Sequence, residues 1–330
     1  MQIRPVQPAD IPRITQLWNS SVLSGEVVYK PLQEAAFRAL FLDSPAACPD
    51  LLLVALKEDV PQGFLIGNIK KQYLPGETFA NTPAFLTALF VDPAHRHQGI
   101  GTALLSAFRQ RLAAMGKQRI AISGDNPIKL AWLIPGTPQH DHNNAPGMDT
   151  LCPGYPFLLA RGFQELHREV AMYLNLSQYM PLADMPQRLE RLAQEGITAG
   201  RYDPAWHYEF DTMCDRVKSE YWRKVLQDEL ASPAPRPILA ATVPGHFVAF
   251  TGPVDKQPGG RGWFTGICTD PLYEKKGIAT ILFNLLMQEF IQVGAAFSTL
   301  FTGDTNHARK IYERAGFSVA RTFSVMEAEV

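Results

Sequence analysis

The sequence has no uninterrupted apolar run near the roughly 20 residues a membrane-spanning helix needs. Its start, Met1 to Pro8, lacks the apolar stretch of a secretory signal. Cysteine is scarce: Cys48, Cys152, Cys214 and Cys268 are far apart, with no Cys-x-x-Cys pair. That excludes a zinc ribbon or knuckle and argues against a disulfide scaffold. A reducing cytoplasm is the compartment these absences lead us to expect. Neither charge is in excess: Lys plus Arg number 31 and Asp plus Glu 32, for a formal net charge of −1. Neither a nucleic acid nor an anionic membrane is therefore an expected partner. With 46% hydrophobic and 19% charged residues the chain is too apolar for disorder. Its 330 residues exceed the common single-domain size of about 100–150, so two domains are expected.

What the sequence does have is itself, twice. Phe90-Val91-Asp92-Pro93-Ala94-His95-Arg96-His97-Gln98-Gly99-Ile100-Gly101 aligns with Cys268-Thr269-Asp270-Pro271-Leu272-Tyr273-Glu274-Lys275-Lys276-Gly277-Ile278-Ala279. The offset is constant, since 270 − 92 and 277 − 99 both give 178. Leu104, Phe108, Leu112 and Met115 recur as Leu282, Leu286, Phe290 and Val293, spaced as one face of a helix. Each helix then meets a glycine, Gly116 or Gly294, suited to a left-handed C-terminal stop. Such sustained agreement marks a duplication. Further on, Gly162-Phe163 aligns with Gly316-Phe317 at the shorter offset of 154 (316 − 162). The first copy therefore carries extra residues, and residues 127–156, rich in Pro, Gly, Asn and His, read as an inserted loop or lid.

Both copies read as mixed α/β. In the first, a helix opens at Asp10-Ile11-Pro12 with Asp as its N-cap. Strands follow at Leu51–Leu56, Gly63–Ile69, Ala84–Val91 and Arg119–Ser123, and a short helix is expected near Leu158. The second repeats this with strands Ile238–Ala241, His246–Thr251, Gly262–Thr269 and Phe297–Phe301, a helix Asn306–Ala315 and a final strand Phe317–Met326. The expected domains are residues 1–178 and 179–330.

The strand ending in Val-Asp-Pro, followed by Arg-x-x-Gly-x-Gly and a helix, suits an anion. Unpaired amides cluster at a helix N-terminus, where the macrodipole also favours negative charge, and glycine lets backbone close on a ligand. A pyrophosphate is the natural occupant. No Gly-Lys-Ser/Thr is present for a P-loop, and the third glycine of a dinucleotide fingerprint would fall on Leu104.

On these residues both halves resemble the GCN5-related N-acetyltransferase (GNAT) family, whose signature is Arg/Gln-x-x-Gly-x-Gly/Ala. Arg96, Gly99 and Gly101 match its three fixed places; Gly277 and Ala279 match two, while Glu274 stands where Arg or Gln is expected. The resemblance implies two such domains in tandem and acetyl-CoA as cofactor. The loop Arg96, His97, Gln98, Gly99, Ile100 and Gly101, and by analogy Lys275, Lys276, Gly277, Ile278 and Ala279, would hold the pyrophosphate, with Thr102 or Thr280 adding a hydroxyl. Leu89, Phe90 and Val91, or Ile267, Cys268 and Thr269, would pair with the pantetheine arm. One of those amides would polarise the thioester carbonyl.

Acetyl transfer also needs a proton for the departing thiolate. In the family a Tyr four residues before Gly-Phe donates it, and an Asn six residues earlier contacts the cofactor. Tyr312 and Asn306 match both positions, so the resemblance makes Tyr312 the acid and directs the chemistry to the second half. In the first half Leu158 takes the tyrosine's place, with Tyr155 a substitute from the loop. His140 and His142 share one face of an extended segment but lack a third ligand, so no metal is expected. Glu26, Glu209 and Asp211 stand open as general bases. The implied activity is N-acetylation of a small-molecule or peptide amine; a non-catalytic acyl-CoA-binding module is the alternative. The acceptor and the oligomeric state are not legible.

Overall fold

The computed structural model describes residues 1–206 and 208–330, gathered in two compact units. One comprises Met1–Val170 with Arg321–Val330, the other Ala171–Ala320. The first contains β1 (Gln2–Pro5), α1 (Ile11–Leu23), α2 (Glu34–Phe41), β2 (Leu52–Lys57), β3 (Val60–Ile69) and β4 (Ala84–Val91). There follow α3 (Ile100–Ala114), β5 (Arg119–Ile122), the short strands β6 (Trp132–Leu133), β7 (Asp141–His142) and β8 (Met148–Asp149), α4 (Gly154–Leu159), and the start of β9 (Gln164–Asn175). The second contains α5 (Met185–Gln194), β10 (Thr198–Arg201), α6 (Asp211–Val217), α7 (Glu220–Leu230), β11 (Leu239–Val243) and β12 (His246–Gly252). It continues with β13 (Asp255–Lys256), β14 (Arg261–Trp263), β15 (Gly266–Thr269), α8 (Ile278–Gln292), β16 (Phe297–Gly303), α9 (Arg309–Arg314) and the start of β17 (Ser318–Glu329).

The sheet of the first unit runs β1-β2-β3-β4-β5-β17. Its last strand thus comes from the end of the chain, with Met326 opposite Ile122 and Ala328 opposite Ile120. Strand alternation buries both faces. Leu53 and Ala55 of β2 join Leu104, Leu105, Phe108 and Leu112 of α3 in one apolar cluster. Leu52, Val54 and Leu56 face Ile14, Trp18, Phe37 and Phe41 of α1 and α2 on the other side. Helix α3 lies so close to β3 that a Cβ on Gly67 would come within 2.1 Å of the buried Phe108 ring.

In β4 the alternation breaks. Ala84 and Leu86 belong to the α3 cluster, but the next even-numbered residues, Ala88 and Phe90, belong to the α1 side. Pairing with β3 shows why: Ile66 faces Ala88 while Gly67 faces Leu86, so Thr87 is an extra residue in a β-bulge. Beside β5, β4 pairs only at Ala84 with Ile120 and Phe85 with Ala121. The strands part just before the bulge.

The second unit parts at the same place. Gly262 of β14 pairs with Ser298 of β16, the counterpart of Ala84 with Ile120. β15, by contrast, lies in a separate sheet of order β10-β11-β12-β15. The expected strand Gly262–Thr269 is therefore two strands, interrupted at Phe264 and Thr265, where the first copy has its bulge. Two further expectations need correction. Asp10 precedes α1 but does not cap it through its side chain; its carboxylate binds the Arg4 guanidinium at 2.7 and 3.0 Å and the Gln7 amide at 2.7 Å. A charge-assisted pair outcompetes a cap. The helix expected over Asn306–Ala315 spans only Arg309–Arg314, because the Asn306 side chain caps the preceding turn at Ala308 N–H, 2.9 Å away.

Gly67→Ala is expected to cost about 1–3 kcal/mol by overpacking against Phe108. A denaturant titration checks it: the midpoint falls with an unchanged slope, and an unaltered midpoint would refute the close packing.

Candidate functional site

The two glycine loops are the same object in backbone terms. Asp92 and Asp270 end their strands with φ/ψ of −48/123 and −56/128. Arg96 and Glu274 are extended, at −69/165 and −62/163. His97 and Lys275 turn left-handed, with φ of 60 and 62. Gly99 and Gly277 do so again at φ 82, each as the N-cap of a 15-residue helix, α3 or α8. Each aspartate pins its bend. Asp92 accepts from Ala94 N–H at 3.0 Å and from Arg13, and Asp270 accepts from Leu272 N–H at 2.9 Å and Arg216 at 2.7 Å. The first intrahelical bond of α3 runs from Ala103 to Gly99, at 2.9 Å. The amides of Ile100, Gly101 and Thr102 are left without helical acceptors. Gly101 is helical rather than left-handed; it is small because a Cβ would meet the Phe157 ring at 3.3 Å.

In the first unit this loop borders a cavity of about 520 Å³. Of the residues expected at the cofactor, Leu89, Phe90, Val91, Arg96, His97, Gly99, Ile100, Gly101 and Thr102 line it; Gln98 is exposed and outside the lining. The parting of β4 from β5 opens one wall, presenting backbone beyond the bulge that β5 does not use.

Two arginines line this end of the cavity. Arg96 grips Glu26 with both terminal nitrogens, at 2.6 and 2.7 Å, and donates from Nε to the Val91 carbonyl at 3.2 Å. The Arg96 hydrogen bonds hold the Glu26 carboxyl below its ordinary range. Glu26, open as a base in the sequence, is thus a poor proton acceptor. Arg161 was not singled out by sequence, yet it lines the same cavity. It donates to the Thr102 hydroxyl at 2.9 and 3.2 Å, with its guanidinium over the Phe157 ring at 4.9 Å. A cation at a helix N-terminus opposes the macrodipole, and an anion between the two would satisfy both. The only sequence signal was an arginine before Gly162 where the second copy has Ala315.

The other end of the cavity is built by the insertion. β6 and β7 pair Trp132 with His142, and Trp132 bridges antiparallel to Tyr29. Leu133 N–H donates to Val28 at 2.8 Å, Lys30 N–H to Ala131 at 3.3 Å, and Asp141 pairs with the Lys30 ammonium. His142 is buried with its ring stacked on Trp132. No group of three metal-ligating side chains occurs among the described residues. Tyr29, Asp149, Cys152 and Leu158 line this end, but Tyr155 does not; its hydroxyl donates to Glu165 at 2.8 Å. Burial raises the pKa of Tyr29 and pushes the Cys152 thiol up to about 11, so both stay protonated at neutral pH.

The surroundings of the second loop differ. Arg191 of α5 donates to the Lys276 carbonyl at 3.2 Å, and Lys276 pairs with Glu195. A Cβ on Gly266 would stand 2.3 Å from the Trp222 ring. Ile267, Cys268 and Thr269 pair with β12, and burial raises the Cys268 thiol to about 12. Lys275 is exposed, Ala279 half-buried, Ile278 and Thr280 buried. Asn306 is exposed and engaged in its cap. Tyr312 is 8% exposed, its ring 4.9 Å from Phe283 and 6.5 Å from Phe317, and burial raises its pKa.

No helix among the described residues is long and apolar enough to cross a membrane. Among curated proteins none matches this chain. Of solved structures, a glucosamine N-acetyltransferase region of a fungal multi-domain β-N-acetylglucosaminidase superposes with a TM-score of 0.65 at 15% identity. The match covers 99% of this chain but 38% of that one. A GCN5-related N-acetyltransferase from Sphaerobacter thermophilus gives 0.59 at 16% identity, covering 99% of this chain and 95% of the other. A tandem GNAT protein of the clavulanic acid biosynthesis pathway gives 0.53 at 15%, covering 99% and 98%. At such identities the likeness is one of fold. The sequence profile of the acetyltransferase (GNAT) family matches residues 14–131 and again 203–317. The chain belongs to the acetyltransferase (GNAT) family and carries its domain twice.

Proposed function

We propose that the first unit, Met1–Val170 with Arg321–Val330, is an acetyl-CoA-dependent N-acetyltransferase acting on a primary amine, and that the second, Ala171–Ala320, has a mainly structural part. The single observation that carries this is the cavity of the first unit, which joins an amide-bearing helix N-terminus to the splayed edge of β4. The residues fit the cofactor: Ile100, Gly101 and Thr102 offer amides, and Arg161 places a cation on the anion side of the helix dipole. Acetyl-CoA supplies the activated acetyl thioester. Leu89, Phe90 and Val91 would offer main chain to a peptide-like arm, and one of their amides would polarise the thioester carbonyl. Tyr29 and Cys152 line the same cavity, but burial raises both away from the range suited to proton donation, so neither is assigned as the acid. Arg96, neutralised by Glu26, ties the loop after α1 to the glycine bend.

The second copy keeps the bend and has a guanidinium beside it, Arg191, but there Glu195 pairs with the Lys276 ammonium. Tyr312 is packed between phenylalanines. A binding module without turnover remains the alternative. The same departures at Leu158 and Glu274 favour it, and turnover would remove it.

Gly99→Val, which forces a β-branched residue to φ 82, is expected to raise the acetyl-CoA Kd by roughly tenfold or more. Calorimetry checks this, with Gly277→Val as the paired control expected to change it little. Equal losses would give both loops a cofactor. For Tyr312→Phe, kcat within about 2-fold of wild type is expected, whereas a fall of roughly 100-fold or more would return the acid to the second copy.

A further inference from the structure

We infer that the acceptor is a small primary amine with an apolar body, its nitrogen held by Asp149, and not a peptide or protein terminus. This rests on the acetyltransferase reading of the same cavity. An extended peptide is recognised chiefly by main-chain hydrogen bonds to an unpaired strand edge. At the insertion end of the cavity one edge of each flanking segment is already taken. The Val28 carbonyl takes Leu133 N–H at 2.8 Å, and Lys30 N–H is given to Ala131 at 3.3 Å. Across the cavity, Met148 and Asp149 pair with Ser324 and Phe323. The wall is also fixed rather than hinged. Trp18 donates from its indole to the Lys30 carbonyl at 2.8 Å, and the Asn19 side chain bonds both main-chain groups of Leu32, at 2.7 and 2.8 Å. Trp132, fully buried, packs edge-on against Phe323 at 5.2 Å.

What the wall turns inward is mostly apolar: Val27, Tyr29, Met148 and Phe323. Two carboxylates interrupt it. Glu26 has both oxygens on Arg96. Asp149 accepts from Leu151 N–H at 3.0 Å through one oxygen, while the other has Arg321 no nearer than 3.8 Å. That oxygen is free to accept from an amine N–H, and its charge is only partly offset. A polar acceptor rich in hydroxyls would leave its donors unmatched against the apolar wall.

The test uses the full-length protein, acetyl-CoA and a thiol-release assay with three acceptors: 2-phenylethylamine, glucosamine and a decapeptide with a free amino terminus. The kcat/KM for 2-phenylethylamine is expected to exceed both others by about 30-fold or more, as apolar burial and unmatched polar groups dictate. Asp149→Asn should raise the KM for 2-phenylethylamine about tenfold with an unchanged acetyl-CoA Kd, and Asp149→Glu should recover part of the loss. Val27→Trp, which narrows the pocket without touching the carboxylate, should also raise that KM, so the conclusion does not hang on one variant folding. Peptide or glucosamine turned over as well as the apolar amine overturns the inference, and so does an unchanged KM in both Asp149→Asn and Val27→Trp. Acetyl-CoA binding with no turnover of any acceptor overturns it too, while leaving the cofactor reading intact. Failure of acetyl-CoA to bind at all removes the reading beneath it.

Discussion

The feature on which the rest depends is a bend between a strand and a helix, in which two left-handed residues, His97 and Gly99, lead into the helix and leave its first amides open. The geometry is costly for an L-residue such as His97. It is held by Asp92, fixed from one side by Ala94 N–H and from the other by Arg13 of α1. The second copy rebuilds that anchor with Asp270 and Arg216 and reaches the same dihedrals within about ten degrees, although the two arginines do not share the repeat's offset of 178. The second copy thus keeps the bend with the same aspartate and an arginine from a different position.

A second constraint works with the first. One additional residue at Thr87 exchanges the faces of β4 and coincides with its departure from β5. The bulge thus opens a wedge between strands at the mouth of the helix. In the second unit the same position is a full break, and β15 leaves for another sheet. The two copies share a backbone plan but differ in what surrounds it. Around the first loop lie a cavity and Arg161; around the second lie Arg191, Glu195 and Trp222.

Much of this was legible beforehand, and for identifiable reasons. The repeat located both loops and both long helices because those depend on local glycine placement and helical spacing. Strand Ala84–Val91 matches residue for residue. The bulge within it leaves no sequence signal because apolar residues fill both faces, with no alternation to break. The Arg96–Glu26 pair spans 70 positions and has no sequence signature. The insertion read as a loop or lid, yet it is bonded into the wall at Val28, Lys30 and Asp141, contacts that only the folded chain creates. The phenol at Tyr312 satisfied a spacing rule, but spacing does not reveal that Phe283 and Phe317 pack around it.

The most direct test of the central claim is amide hydrogen exchange with and without acetyl-CoA. The account predicts ligand-dependent protection in peptides covering residues 96–103, with little change over residues 274–281. Protection confined to residues 274–281, or absent from both bends while cofactor is bound, would contradict it.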